Sequence, residues 1–131
     1  MALHALVLMA TKPLEACSTI ELADRLAVSR NHLVKVMQRL QRAGLLSARR
    51  GPRGGFILAL PPADITLLQV VEVVEGRLSP PVCLLEQPIC KGCCLLSDAF
   101  QAVNKQLVPF FERTTLADLA ARLKGVSAGS R

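Results

Sequence analysis

Residues Ser18 to Gly44 read STIELADRLAVSRNHLVKVMQRLQRAG, and the two capped apolar runs inside this stretch decide the fold. Ser18 and Glu21 have the S-x-x-E spacing of a capping box, in which the serine hydroxyl satisfies a helix-end N–H and the glutamate reaches back. A helix to about Leu26 is therefore predicted. Ala27 and Val28 lead into Ser29, a second good N-cap, and Leu33, Val36, Met37 and Leu40 recur at i, i+3, i+4, i+7 spacing through Arg30 to Ala43. Two capped helices joined by so short a connection form a helix-turn-helix.

Working outward, Gly44 is suited to close the second helix as the residue after its C-cap. Leu45 to Arg50 and Phe56 to Leu60 read as two short strands around the turn cluster Gly51-Pro52-Arg53-Gly54-Gly55, a hairpin that serves as a wing. Pro61-Pro62 ends it. Thr66 and Gln69, again at capping-box spacing, open a helix that stops near Gly76. Upstream, Leu3 to Ala10 and on to Thr11 is a short apolar helix that must end before Pro13. Downstream, Leu96, Phe100, Val103, Leu107 and Phe110 form a heptad-like apolar seam on a helix that wants a partner; Pro109 is expected to bend it or weaken its last turn. Thr114 or Thr115 caps a final short helix through Leu116, Leu119 and Leu123.

The fold class is mainly α: a winged helix-turn-helix with a small β-hairpin wing, plus a long C-terminal helix. The divisions expected are a winged helix-turn-helix DNA-binding region over residues 1–62, a connecting helix over 63–78, a cysteine-rich loop over 79–94, the seam helix and C-terminal helix over 95–124, and a flexible polar tail over 125–131.

At 131 residues, 51% hydrophobic and 20% charged, the chain has room for one well-filled domain, and disorder is excluded. Its longest unbroken apolar stretch, Ala5 to Ala10, is far short of the roughly 20 residues that span a bilayer. No basic leader with a cleavage site precedes it, so a soluble intracellular protein is expected, with no membrane association. No Gly-rich phosphate loop, paired catalytic carboxylates or Ser/His/Asp arrangement stands out; neither catalysis nor a small-molecule substrate is predicted.

Sixteen Lys and Arg against ten Asp and Glu give a net charge of +6, and its distribution is more telling than its size. Eight basic residues fall between Arg25 and Arg53, and no carboxylate occurs between Asp24 and Asp64. On a helical wheel, Asn31, Lys35, Gln38 and Arg42 oppose the apolar face of the second helix, with Arg30, His32 and Arg39 on its flanks. That chemistry suits the major groove, where Arg or Lys reads guanine and Asn or Gln reads adenine. Asn31 and the first turn from Ser29 are the expected base readers, Arg39 and Arg42 the phosphate contacts. In the wing, Arg49, Arg50 and Arg53 flank glycines, Gly54 among them, that let backbone approach phosphates closely. Solvated charged faces are the bland alternative.

Cys17 stands alone and reads as a small core residue, whereas Cys83, Cys90, Cys93 and Cys94 fall within twelve positions. An odd total without a secretory signal points to metal or redox chemistry rather than a disulfide framework. Thiolates suit an iron–sulfur cluster or zinc, and Lys91 with the positive end of the following helix favours ligation. The thiols most easily arranged around one centre are Cys83, Cys90 and either Cys93 or Cys94. A thiol–disulfide switch through Cys90 and Cys93 or Cys94, structural zinc, and inert cysteines in a regulator that answers to a partner protein remain open. A thioredoxin-like redox enzyme built on Cys90-Lys91-Gly92-Cys93 is the weakest alternative, because no βαβ pattern surrounds the motif.

Several separated runs, Arg30-Asn31-His32-Leu33-Val34-Lys35-Val36, Ala43-Gly44-Leu45, Arg50-Gly51-Pro52-Arg53-Gly54-Gly55-Phe56, Ile65-Thr66-Leu67, Val74-Glu75-Gly76 and Thr115-Leu116-Ala117-Asp118-Leu119, together resemble the Rrf2 family of bacterial winged-helix regulators. The cysteine-rich segment followed by Leu95-Leu96-Ser97-Asp98 is similar to that of its nitrite-sensitive and iron–sulfur members. The resemblance implies a cytoplasmic homodimer that pairs through the long helix, and two recognition helices on a pseudo-palindromic double-stranded operator. It further implies a 2Fe–2S or 4Fe–4S cluster on Cys83, Cys90 and Cys94, with Cys93 as a competing thiol and Ser97 where some relatives carry a histidine ligand. His4 is the candidate fourth ligand. Such a protein is expected to act as a repressor that senses nitric oxide, oxidation or cluster supply.

Overall fold

The computed structural model describes residues 1–78 and 94–129. Six helices and one hairpin follow in the order α1 (Ala2–Ala10), α2 (Thr19–Leu26), α3 (Arg30–Arg42), β1 (Leu46–Arg49), β2 (Gly55–Leu58), α4 (Leu67–Glu75), α5 (Leu95–Arg113) and α6 (Leu116–Gly129), with a 3-10 turn at Pro62–Asp64. This is the expected winged helix-turn-helix with a long helix after it.

The core gathers around α1, whose Ala5, Leu6 and Met9 are buried against the apolar faces of α2, α3, α4 and α6. Small residues let the helices approach: Ala5, Ala10, Ala23 and Ala120 sit among Leu22, Leu33, Met37, Leu40 and Leu116. From α3 the four periodic apolar residues Leu33, Val36, Met37 and Leu40 all enter this core.

Local chemistry accounts for most boundaries. Thr66 and Gln69 form the full reciprocal capping box, Thr66 Oγ1 accepting from Gln69 N–H at 3.3 Å while Gln69 Oε1 accepts from Thr66 N–H at 2.9 Å. Thr115 and Asp118 repeat the arrangement at the start of α6. Those bonds to Thr115 hold the exposed Asp118 carboxyl below its ordinary pKa. Thr114, the alternative cap, is instead buried and gives its hydroxyl hydrogen to Phe110 O. Ser18 caps α2 by accepting from Ile20 N–H, one residue short of the capping-box donor. Ser29 holds the N-cap position of α3 without a side-chain capping bond.

The turn between α2 and α3 closes with Ala27 in the left-handed region (φ +52°) and Val28 N–H donating back to Ala23 O at 3.0 Å. Glycine usually fills that place. The wing pairs antiparallel from Leu46 opposite Leu58 to Arg49 opposite Gly55. A further bridge joins it to the α1–α2 connection: Cys17 N–H donates to Phe56 O at 2.8 Å and Phe56 N–H to Cys17 O at 3.0 Å. Gly55 permits that approach, because a Cβ there would lie 2.3 Å from Cys17 O. Two backbone bonds, Leu67 N–H to Thr114 O and Leu116 N–H to Ile65 O, both 2.9 Å, pin the start of α4 to the start of α6.

Pro109 lies within α5, which continues to Arg113; Phe110 O is closed by both the N–H and the hydroxyl of Thr114. One expectation is corrected. The final helix runs beyond Lys124 to Gly129 rather than stopping at Gly125, since an interior glycine weakens a helix by only about 1 kcal/mol.

Candidate nucleic-acid interface

Because the four periodic apolar residues of α3 point inward, its outer face is fixed by geometry. Asn31, Lys35, Gln38 and Arg42 are exposed there in one row, two polar readers interleaved with two cations. Arg42 Nε also donates to Gln38 O at 3.4 Å, which keeps its stem along the helix.

The flanking residues are engaged with neighbouring elements. On one side Arg30 Nη2 donates to both carboxylate oxygens of Asp24, at 3.0 and 3.2 Å, tying the first turn of α3 to α2 across the turn. Both partners are exposed, so this pair orients more than it stabilises. On the other side Arg39 Nη1 donates to Val74 O at 3.4 Å, towards α4. His32 lies on that same flank and lines a groove with His4, Val36, Val70, Val74 and Glu75. Ser29 is exposed at the N-cap.

The wing carries Arg49, Arg50 and Arg53, all exposed, around a tight turn in which Gly54 N–H donates to Gly51 O at 2.9 Å. A Cβ on Gly54 would meet Arg49 O at 2.5 Å. The turn thus depends on glycine as the sequence suggests. A shallow groove beside it is lined by these arginines, Pro52 and, from the α1–α2 connection, Leu14 and Glu15. Sequence reasoning missed Leu14. Its signal was a leucine placed after Lys12-Pro13, outside every apolar period of the chain.

Of the clustered cysteines, Cys83, Cys90 and Cys93 lie outside the described residues. Cys94 is half-buried at the N-cap of α5 and makes no side-chain capping bond. His4 is exposed on α1 and lines grooves formed with α3 and α4 on one side and α2 and α6 on the other. No group of three His, Cys, Asp or Glu side chains able to hold a metal occurs among the described residues. Burial, then Glu21 and Glu15, raise the pKa of Cys17, as suits a packing thiol beside the wing. The exposed apolar side chains Leu96, Phe100, Val103 and Phe110, with the half-buried Leu107, lie along α5. No helix among the described residues is long and apolar enough to cross a membrane.

Comparison with known proteins places this geometry. The family model described as Rrf2, iron-dependent transcriptional regulator, matches residues 1–122. A chain named as an HTH-type transcriptional regulator in Neisseria meningitidis is 32% identical over 111 residues, covering 84% of this chain and 74% of that one. One from Aquifex aeolicus is 31% identical over 122 residues, covering 90% and 85%. Among solved structures, CymR, the global cysteine regulator of B. subtilis, superposes with a TM-score of 0.73 at 27% identity, covering 91% of this chain and 92% of that one. IscR of T. potens gives 0.72 at 26%, covering 97% and 83%.

Proposed function

Since the chain belongs to the Rrf2 family of iron-dependent transcriptional regulators, and is thus a regulator with a DNA-binding fold rather than an enzyme, we propose that it is a cytoplasmic, homodimeric repressor. Residues 1–62 would read a double-stranded operator. Asn31, Lys35, Gln38 and Arg42 enter the major groove, with Ser29, Arg30 and His32 at the edge of that contact and Arg39 at its α4 side. Arg49, Arg50, Arg53 and the backbone around Gly54 take phosphates and the minor groove. The α5 seam of Leu96, Phe100, Val103, Leu107 and Phe110 pairs with its copy.

One observation carries the DNA reading: the outward row of α3 and the wing beside it belong to a stretch with eight cations and no carboxylate. A duplex selected by the protein from a random-sequence library tests it. Asn31→Ala should lose about 1–3 kcal/mol of discrimination at one base pair. Arg53→Ala should weaken binding to every sequence and lower the salt slope by about one. Unchanged affinity in both variants overturns the assignment.

For sensing, we assign Cys83, Cys90 and Cys94 as ligands within residues 79–94, with Cys93 competing and His4 as the fourth. The donor chemistry fits an iron–sulfur cluster of 2Fe–2S or 4Fe–4S type, and zinc as the alternative metal. Cys94 supports this, because its sulfur makes no capping bond and stands at the end of α5 where the helix dipole favours an anionic ligand. A bound cluster would supply electron-transfer chemistry and sensitivity to oxidants; in the metal-free form of the same switch, a peroxide-class oxidant would take two electrons and two protons from Cys90 and either Cys93 or Cys94 to leave a disulfide. The chain's own path from this site to DNA runs from Cys94 along α5 to α4, and from Val74 of α4 to Arg39 of α3. Anaerobic purification followed by a visible spectrum and iron, sulfide and zinc counts decides among these. Charge-transfer bands with stoichiometric iron and sulfide support the cluster, and colourless, iron-free protein overturns it.

A further inference from the structure

Leu14 is the most exposed of the large apolar side chains described, at 84% of its full surface. It is not on a slack loop. Thr11 Oγ1 donates to Leu8 O at 2.7 Å, Glu15 N–H donates to Lys12 O at 3.1 Å, and Lys12 Nζ pairs with Glu15 Oε2 at 3.0 Å. Three residues on, the double backbone bond between Cys17 and Phe56 fastens the connection to β2. The close packing of Gly55 on Cys17 O fixes the spacing. The α1–α2 connection and the wing are thus one stitched unit, and Leu14 lines the same groove as Arg49, Arg50, Pro52 and Arg53.

We propose that Leu14 is a further duplex contact, packing on the deoxyribose of the strand whose phosphates the wing arginines hold. This deepens the DNA-binding reading and rests on it. The charge of the groove selects the occupant. Glu15, its only carboxylate, is already paired with Lys12, so three arginines remain to be matched. An apolar protein partner would cover Leu14 but desolvate those arginines without compensation. A nucleic-acid strand meets both needs at once, since its phosphates alternate with apolar sugar faces, and leucine is among the residues that proteins lay against the minor groove. A fixed connection also means that little side-chain and loop freedom is lost on binding.

The test uses the full-length protein, a 30-bp duplex selected by the wild type from a random library, and fluorescence anisotropy over a series of salt concentrations. Leu14→Ala should weaken binding about 3- to 10-fold with the wild-type salt slope, because an apolar contact releases no counterions. Leu14→Glu should weaken it more than 10-fold by setting a carboxylate against phosphate. Both variants should melt at the wild-type temperature, as expected for so exposed a side chain. Wild-type affinity in both Leu14 variants, with Arg53→Ala still weakened, overturns this contact and leaves the DNA reading standing. Selection of no duplex by the wild type overturns both.

Discussion

Helices α3 and α5 are both amphipathic, yet they end in opposite states. In α3 every periodic apolar residue is buried, Leu33, Met37 and Leu40 completely, and the row opposite them is polar. In α5 none of the described side chains is fully buried, and Val103 keeps 63% of its surface and Leu96 58%. The first helix has found its apolar partners within the chain and offers a hydrophilic face to something else. The second packs one side on α4 and keeps its apolar seam exposed. Exposed polar and cationic groups on α3 suit a polyanion, and exposed apolar groups on α5 suit an apolar surface, as proposed above.

That contrast breaks most visibly at the seam. Burying a Phe or Val side chain contributes about 1.5–3 kcal/mol, so charging two of them in a symmetric contact alters four buried positions at once. Phe100→Glu with Val103→Glu should convert the protein from two chains to one in sedimentation equilibrium. Because one tethered pair of recognition helices becomes two independent ones, affinity for a palindromic duplex should fall by more than about 100-fold. The fold of the single chain should survive, as judged by helical circular dichroism. Leu40→Ala on α3 is the mirror experiment: it should cost the chain itself about 2–5 kcal/mol of stability in urea. A wild type that sediments as one chain would dismiss the seam as an interface.

A second test sharpens the point that the face offered by α3 works together with the wing. Gly55 and Gly44 both have positive φ, +154° and +79°, but an added Cβ meets Cys17 O at 2.3 Å at the first and open space at the second. Gly44→Ala should therefore cost only the backbone strain, about 1 kcal/mol. Gly55→Ala carries strain and a backbone clash, and should cost about 2–3 kcal/mol or detach the wing from Cys17. Detachment would show as faster amide exchange at Phe56 and weaker duplex binding, with α3 unchanged. Equal effects of the two substitutions would show that the stitch between Cys17 and Phe56 contributes little.

The parts of this design legible in the sequence are those whose causes are local. The inward residues of α3 follow from a period of 3.6, the wing from its glycine-proline turn, and the start of α4 from Thr66 and Gln69 answering each other across three residues. What was hidden depends on contacts between distant segments. The bond from Arg39 to Val74 joins residues 35 apart, and a helical wheel can place Arg39 on a flank but cannot say which element packs there. The bridge between Cys17 and Phe56 is a single backbone pair with no strand pattern to announce it, so Cys17 read as packing alone and Leu14 as nothing. Gly125 misled because the penalty of one interior glycine, about 1 kcal/mol, is too small to end α6.

The smallest effect lies in the turn that sets α3 against α2. Ala27 occupies the left-handed region at φ +52°, the one non-glycine residue among those described with a positive φ. An L-residue there costs roughly 1–2 kcal/mol, whereas glycine gives back about 0.4–1 kcal/mol through the greater freedom of the unfolded chain. Ala27→Gly should therefore stabilise the protein by about 0.5–1 kcal/mol, read as a higher urea midpoint with an unchanged slope. Because the closing bond from Val28 N–H to Ala23 O remains, the angle between α2 and α3 should not change, and duplex affinity should stay at the wild-type value. A lower midpoint would mean that the alanine methyl makes a packing contact worth more than the strain it carries. A changed affinity would mean that the turn itself helps to aim the row of Asn31, Lys35, Gln38 and Arg42.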